Sequence, residues 1–186
     1  MNRFEMWFCG SSYWRYLTRR QLLPWLLGGS ELGEHVLELG AGPGAATEEL
    51  RLRAGRVTSL EYDHGFAARL GARVSGTNAS VIQGDAATLP FLDNTFSSAI
   101  AILMLHHLHS NELQDRAFAE IVRVLRPGGV FLAFEIQDGW LNRVGHIRST
   151  FVPVDPATAS ARLMAAGFSC ATVDLWRSGF RIRALR

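Results

Sequence analysis

Val36-Leu37-Glu38-Leu39-Gly40-Ala41-Gly42-Pro43-Gly44 decides the fold. An apolar run of strand length meets a glycine turn, and a helix-like stretch from Ala45 to Arg53 follows it. Glycine is needed where the backbone turns tightly and must approach a ligand with no side chain between them. Outward from that turn, strand-like runs alternate with helix-like ones, which predicts an α/β protein with a parallel sheet. His35–Leu39 reads as the first strand, Arg56–Glu61 as the second and Ser80–Gln83 as the third. Phe96–Met104 is a nearly unbroken apolar run, the kind buried on both faces at a sheet centre. Phe66–Val74 and Asn111–Leu125 read as helices, the latter with a stripe from Leu113 through Ala117, Phe118, Ile121 and Val122 to Leu125. Arg126-Pro127-Gly128-Gly129 is predicted to stop that helix, and Val130–Ile136 to be the fifth strand.

Towards the carboxyl end, Asp155 is placed as N-cap of a helix over Pro156–Ala166, with Gly167 past its end. Cys170–Trp176 and Phe180–Leu185 are then joined only by Arg177-Ser178-Gly179, and so short a connection predicts an antiparallel hairpin. Residues 1–30 form a separate segment rich in aromatic residues. Tyr13, Leu17, Leu22, Trp25 and Leu26 predict a short amphipathic helix broken near Pro24, either packed on the sheet edge or closing over a ligand. Residues 31–186 read as one domain.

Composition narrows the function. The 186 residues, 48% hydrophobic and 19% charged, describe a folded chain rather than a disordered one. The longest aliphatic run, Ala99 to Leu105, is far short of the roughly 20 residues that span a bilayer. With no leader-like start, the expectation is a cytoplasmic protein without a membrane span. All 19 basic residues are arginine, which excludes a phosphate-loop lysine, a pyridoxal Schiff base and a lysine general base. The arginines of 3–20 and 177–186 alternate with apolar residues, the pattern of a solvated face rather than a nucleic-acid surface. Cys9 and Cys170 lie far apart with no metal-ligand spacing, and no Asp/Asp-Asn set is evident, so no metal is expected.

The glycine turn alone is ambiguous, because Gly40, Gly42 and Ala45 also satisfy the dinucleotide pattern G-x-G-x-x-A. Glu61 ends the second strand where a carboxylate accepts both hydroxyls of a ribose, which nicotinamide and adenosyl cofactors share. Three features favour an adenosyl amino acid. Glu38 would repel a pyrophosphate and attract an ammonium. Gly84-Asp85-Ala86-Ala87-Thr88-Leu89-Pro90-Phe91 follows the third strand, with Asp85 suited to an adenine amino group. The terminal hairpin is absent from ordinary dinucleotide folds.

On these residues, with Glu61-Tyr62-Asp63, Leu105-His106-His107-Leu108 and Val124-Leu125-Arg126-Pro127-Gly128-Gly129, the chain resembles the class I S-adenosylmethionine-dependent methyltransferases from Val36 to Arg186. The resemblance implies a Rossmann-like, doubly wound, mostly parallel seven-stranded sheet ending in an antiparallel hairpin. It implies S-adenosylmethionine as cofactor, with Glu38, Gly40, Ala41 and Gly42 facing the methionine part and Glu61 holding the ribose. Tyr62 would lie against the adenine, Asp85 and Ala86 would meet its edge, and the backbone near Ile102 would help hold the amino group. The family often has Asp after the phenylalanine that opens the fourth strand. Here Ser97 follows Phe96, a departure that leaves room for a cofactor-binding protein without catalysis.

Methyl transfer from a sulfonium is an in-line displacement that needs alignment and exclusion of water, and a base only where the acceptor loses a proton. His106 and His107 are the candidate bases, at the strand end where ligands gather in open α/β sheets. Tyr13, Trp14, Glu135 and Trp140 are candidates for the acceptor pocket, with Asp138 beside them. His146 reads as incidental. Without a base-methylation motif or room for a large cap domain, a small-molecule or lipid-like acceptor is expected and a nucleic acid is not.

Overall fold

The computed structural model describes residues 3–147, 149–177 and 179–186. The described residues open with three short helices, α1 (Arg3–Gly10), α2 (Ser12–Leu17) and α3 (Leu23–Leu27), the last two joined by a π-helical turn over Thr18–Leu22. Ser11 caps α2 by accepting from the Trp14 amide at 3.0 Å. Pro24 lies in the first turn of α3, where its missing N–H costs nothing, so it starts a helix rather than breaking one.

Then follow β1 (His35–Leu39), α4 (Thr47–Leu50), β2 (Arg56–Glu61), α5 (His64–Val74), β3 (Ala79–Gln83), β4 (Phe96–Ile102) and α6 (Asn111–Val124). The chain closes with β5 (Leu125–Ile136), α7 (Trp140–Gly145), α8 (Pro156–Ala166), β6 (Cys170–Trp176) and β7 (Gly179–Leu185). The strands form one sheet in the order β3-β2-β1-β4-β5-β7-β6. β1 to β5 are parallel, and β7 is antiparallel to both β5 and β6. The expected hairpin is present, although its turn residue Ser178 lies outside the described residues. No helix among the described residues is long and apolar enough to cross a membrane.

The central strands are apolar because both of their faces are covered. Leu37 and Leu39 pack with Phe118 and Ile121 of α6 in one core cluster, while Val36 and Ile100 pack with Leu50, Leu70 and Leu23 in another. Full burial of side chains of this size contributes about 1.5–3 kcal/mol each. Asp155 caps α8 through the Ala157 amide at 2.9 Å, and Gly167 ends it at φ +110°.

Three readings need correction. The helix expected over Ala45–Arg53 is a single turn, α4. β4 stops at Ile102, since Leu103 takes φ +53° and turns the chain out of the sheet. β5 begins at Leu125, so the Arg-Pro-Gly-Gly stretch continues into the strand, with a register shift between Phe96 and Ser98 on its neighbour.

Ser97 performs a supporting task. Its hydroxyl accepts from the His35 amide at 3.0 Å and lies 2.8 Å from the carbonyls of both Leu32 and His35, pinning the start of β1. The arginines of β7 are not merely a solvated face. Arg181 donates to the Trp25 carbonyl at 2.7 Å and Arg183 to the Ser30 hydroxyl. Trp25 stacks on Trp176 at 4.7 Å and meets Phe134 edge-on, so α3 is docked on the hairpin side of the sheet.

Candidate active site

A cavity of about 720 Å³ opens at the carboxyl ends of the parallel strands. That is where the backbone leaves the sheet and where ligands bind in open α/β folds. The glycine turn forms part of its wall. Gly40 takes φ +71°, and a Cβ there would stand 2.2 Å from Met104 Cγ. Gly42, which also lines the cavity, takes φ +52° with nothing within 4 Å of where its Cβ would be.

Two buried carboxylates line this wall. Glu38 Oε2 accepts from the Thr47 and Ser59 hydroxyls, each at 2.6 Å. Burial pushes its carboxyl above the usual glutamate range, against the pull of those two hydroxyls. Glu61 bridges the turn, Oε2 accepting from the Gly42 amide at 2.7 Å and Oε1 from the Asp63 amide at 2.9 Å. Each of its oxygens retains a second lone pair. Ala41, Tyr62, Asp85, Ala86 and Ile102 also line the cavity. Tyr62 is largely exposed at its rim, and Asp85 accepts from the Ala87 amide at 2.9 Å, fixing its loop.

Farther along, the turn at Leu103 leads into a 3₁₀ turn over Leu105–His107. Glu135 of β5 holds that turn: Oε1 accepts from the amides of Met104 and Leu105 at 2.9 and 2.7 Å, and Oε2 accepts from His106 Nδ1 at 2.5 Å. His106 and His107 both line the cavity, joined by His146 from the end of α7.

The expected acceptor residues divide. Trp14 lines the cavity, as do Phe8 and Thr18. Tyr13 is 62% exposed and does not, because the turn of α2 that brings Trp14 inward sends its neighbour outward. Glu135 has no exposed surface and stands behind His106 rather than in the pocket. Trp140 is 73% exposed at the start of α7, and the later residues Asn142, Gly145 and His146 face the cavity instead. Asp138 is tied to Arg143 at 2.7 Å.

Thr18, Glu135 as a support, and His146 were missed as site residues. An acid inside the apolar run Phe131-Leu132-Ala133-Phe134-Glu135-Ile136 is a legible sign of a buried partner. Nothing in the sequence singles out His146. Thr18 Oγ1 is buried with no hydrogen-bond partner among the described residues.

Residues 37–133 match the family described as methyltransferase domain, more than half of the chain. The chain belongs to that family. A demethylmenaquinone methyltransferase of Thermobifida fusca is 38% identical over 101 residues, 52% of this chain and 41% of the relative. A sterol 24-C-methyltransferase of Gibberella zeae is 34% identical over 112 residues, 58% of this chain and 29% of the relative. The chain thus spans less than half the length of these curated relatives. Among solved structures, an S-adenosylmethionine-dependent methyltransferase from Mesorhizobium loti superposes with a TM-score of 0.76 at 18% identity, covering 88% of this chain and 96% of that one. At such identity the likeness shows the fold.

Proposed function

We propose that this protein binds S-adenosylmethionine between the glycine turn and Glu61 and transfers its methyl group to a small-molecule acceptor. The observation that carries the reading is a pair of buried carboxylates, Glu38 and Glu61, on the wall of one cavity beside a glycine with open space at its Cβ position. The residues fit such a cofactor. Glu38 supplies a buried carboxyl group that an ammonium would favour in its ionised form, Glu61 has acceptor capacity for ribose hydroxyls, and Thr18 offers a hydroxyl with no hydrogen-bond partner among the described residues. The loop at Asp85–Ala86 and the ring of Tyr62 border the remaining space, where the adenine would lie.

When bound, the cofactor supplies the methyl group and the leaving sulfur. The chain's own residues align and enclose the reactants. His106, with Nδ1 committed to Glu135, presents Nε2 as the atom that would hold or take a proton. Residues 1–30 act as the lid: α1 and α2 bring Phe8 and Trp14 to the cavity, while α3 anchors the segment on the sheet. Demethylmenaquinone and sterol methyltransferases among the relatives support a small, largely apolar acceptor.

The test is a calorimetric titration with S-adenosylhomocysteine, repeated on Glu61→Ala and with NADH as control. Micromolar binding abolished by the substitution supports the reading. Binding of NADH alone, or of neither ligand, overturns it.

A further inference from the structure

His106, His107 and His146 come from two separate parts of the chain, yet their rings gather on one wall of the cavity. The ring centroid of His106 lies 4.3 Å from that of His107 and 5.0 Å from that of His146. One ring nitrogen from each of the three lies within 4.8 Å of the other two. Phe151 stacks on His146 at 4.5 Å and stands edge-on to His106 at 5.4 Å, giving the cluster an apolar flank.

The second nitrogen of each ring explains the arrangement. His106 Nδ1 faces Glu135 Oε2 at 2.5 Å, His107 Nδ1 faces the Thr150 carbonyl at 3.2 Å, and His146 Nδ1 faces the Asn142 carbonyl at 2.6 Å. Carboxylate and carbonyl oxygens accept, so in all three rings Nδ1 carries the proton and a neutral ring has its lone pair on Nε2. This is the outer shell that orients histidines bound to a metal through Nε2, including the carboxylate–histidine pairing. Moreover, Nε2 of His106 and Nε2 of His146 are only 3.2 Å apart. Two lone pairs at that distance repel unless a proton or a cation lies between them. Zinc–nitrogen bonds of about 2.0–2.1 Å at tetrahedral angles put two ligand nitrogens about 3.3 Å apart.

We propose that His106, His107 and His146 bind a divalent first-row transition ion, of the zinc type, with a fourth coordination position open to the cavity. Three imidazoles without a carboxylate ligand suit zinc and its neighbours rather than magnesium or calcium, which take oxygen ligands. Three protein ligands and one open position are the arrangement of a catalytic ion. Its role rests on the methyltransferase reading but takes over from His106 Nε2 the handling of the acceptor's proton, since that nitrogen is then a metal ligand: the open position takes an ionisable hydroxyl of the acceptor. The hydroxyl releases its proton to solvent, and an oxygen lone pair forms the new O–C bond. The C–S bond breaks with its electron pair on sulfur, leaving a neutral thioether.

The experiment uses the full chain, freed of any affinity tag and stripped with a chelator. Zinc is titrated against a chromophoric competitor, cobalt is added separately to read its visible bands, and S-adenosylhomocysteine binding is measured in parallel. About one zinc per chain, intense four-coordinate cobalt bands, and at least a 100-fold weaker zinc affinity in both His146→Phe and His107→Gln support the site. Glu135→Gln is expected to weaken zinc about 10–100-fold as an outer-shell change. Folding of each variant is checked by circular dichroism, and the cobalt spectrum of the parent protein decides the matter if a variant fails to fold. Absence of zinc and cobalt binding, or zinc affinity unchanged in the folded variants, overturns the proposal and leaves a shared proton between His106 and His146. S-adenosylhomocysteine binding without zinc defeats the metal site alone. Zinc binding without S-adenosylhomocysteine sustains the site and defeats the methyltransferase reading.

Discussion

One carboxylate of Glu135 holds His106 Nδ1 at 2.5 Å with one oxygen and the amides of Met104 and Leu105 with the other. It therefore fixes both the turn that follows β4 and the tautomer of the ring. Glu135→Ala strands three buried donors and is expected to cost about 3–5 kcal/mol of stability. Glu135→Gln keeps a carbonyl for the amides but turns an NH₂ group toward the ring, which drives the ring proton to Nε2. We expect it to remain folded, within about 1–2 kcal/mol of the parent, and to lose at least about tenfold in turnover. Urea denaturation beside a methyl-transfer assay checks both. Full turnover in folded Glu135→Gln would show that the tautomer is immaterial.

Glu38 sets stability against binding. Burial raises its carboxyl, so the folded chain keeps a proton that the unfolded chain loses above the ordinary glutamate value of 4.5. The folded state then binds more protons than the unfolded one, and stability falls as pH rises from 4.5 through the raised value. Glu38→Gln removes that fall. The variant is expected to melt higher than the parent at neutral pH and to bind S-adenosylhomocysteine more weakly. Melting curves between pH 4 and 8 test the sign, and parallel curves for parent and variant would refute it.

Gly40 and Gly42 have different reasons to be glycine. A methyl group on Gly40 would meet Met104, whose amide is already held by Glu135, so Gly40→Ala is expected to cost about 1–3 kcal/mol in overpacking beyond the left-handed φ. At Gly42 only the φ penalty applies, about 1–2 kcal/mol, but the new methyl group would stand on a residue that lines the cavity. Gly42→Ala should therefore stay the more stable of the two and still lose cofactor affinity. Equal S-adenosylhomocysteine binding by Gly42→Ala and the parent would remove the glycine turn from the site.

The sheet was legible because its signals are local. Period, glycine turns and the short connection before β7 are all read within a dozen residues, and the residues proposed for the cofactor lie on those same turns. The placement of the residues proposed for the acceptor was not. Glu135 and Trp140 sit five positions apart, yet the fold buries the first behind His106 and leaves the second in solvent. Which face of a short helix such as α7 meets the cavity depends on its docking, not on its own six residues. His146 reaches His106 across 40 positions of sequence, so their meeting is a property of the tertiary structure alone.

Thr18 offers a change whose two effects have opposite signs. Its hydroxyl is buried on the cavity wall with no hydrogen-bond partner among the described residues, a condition that costs about 1–3 kcal/mol. Thr18→Val replaces the hydroxyl by a methyl group of similar shape and should raise the melting temperature of the ligand-free chain. If the hydroxyl meets the bound cofactor, the same variant gives up one hydrogen bond, and its S-adenosylhomocysteine affinity should fall by roughly tenfold. Calorimetry and thermal unfolding of one preparation read both. A stabilised variant that binds as tightly as the parent would place Thr18 outside the proposed cofactor site.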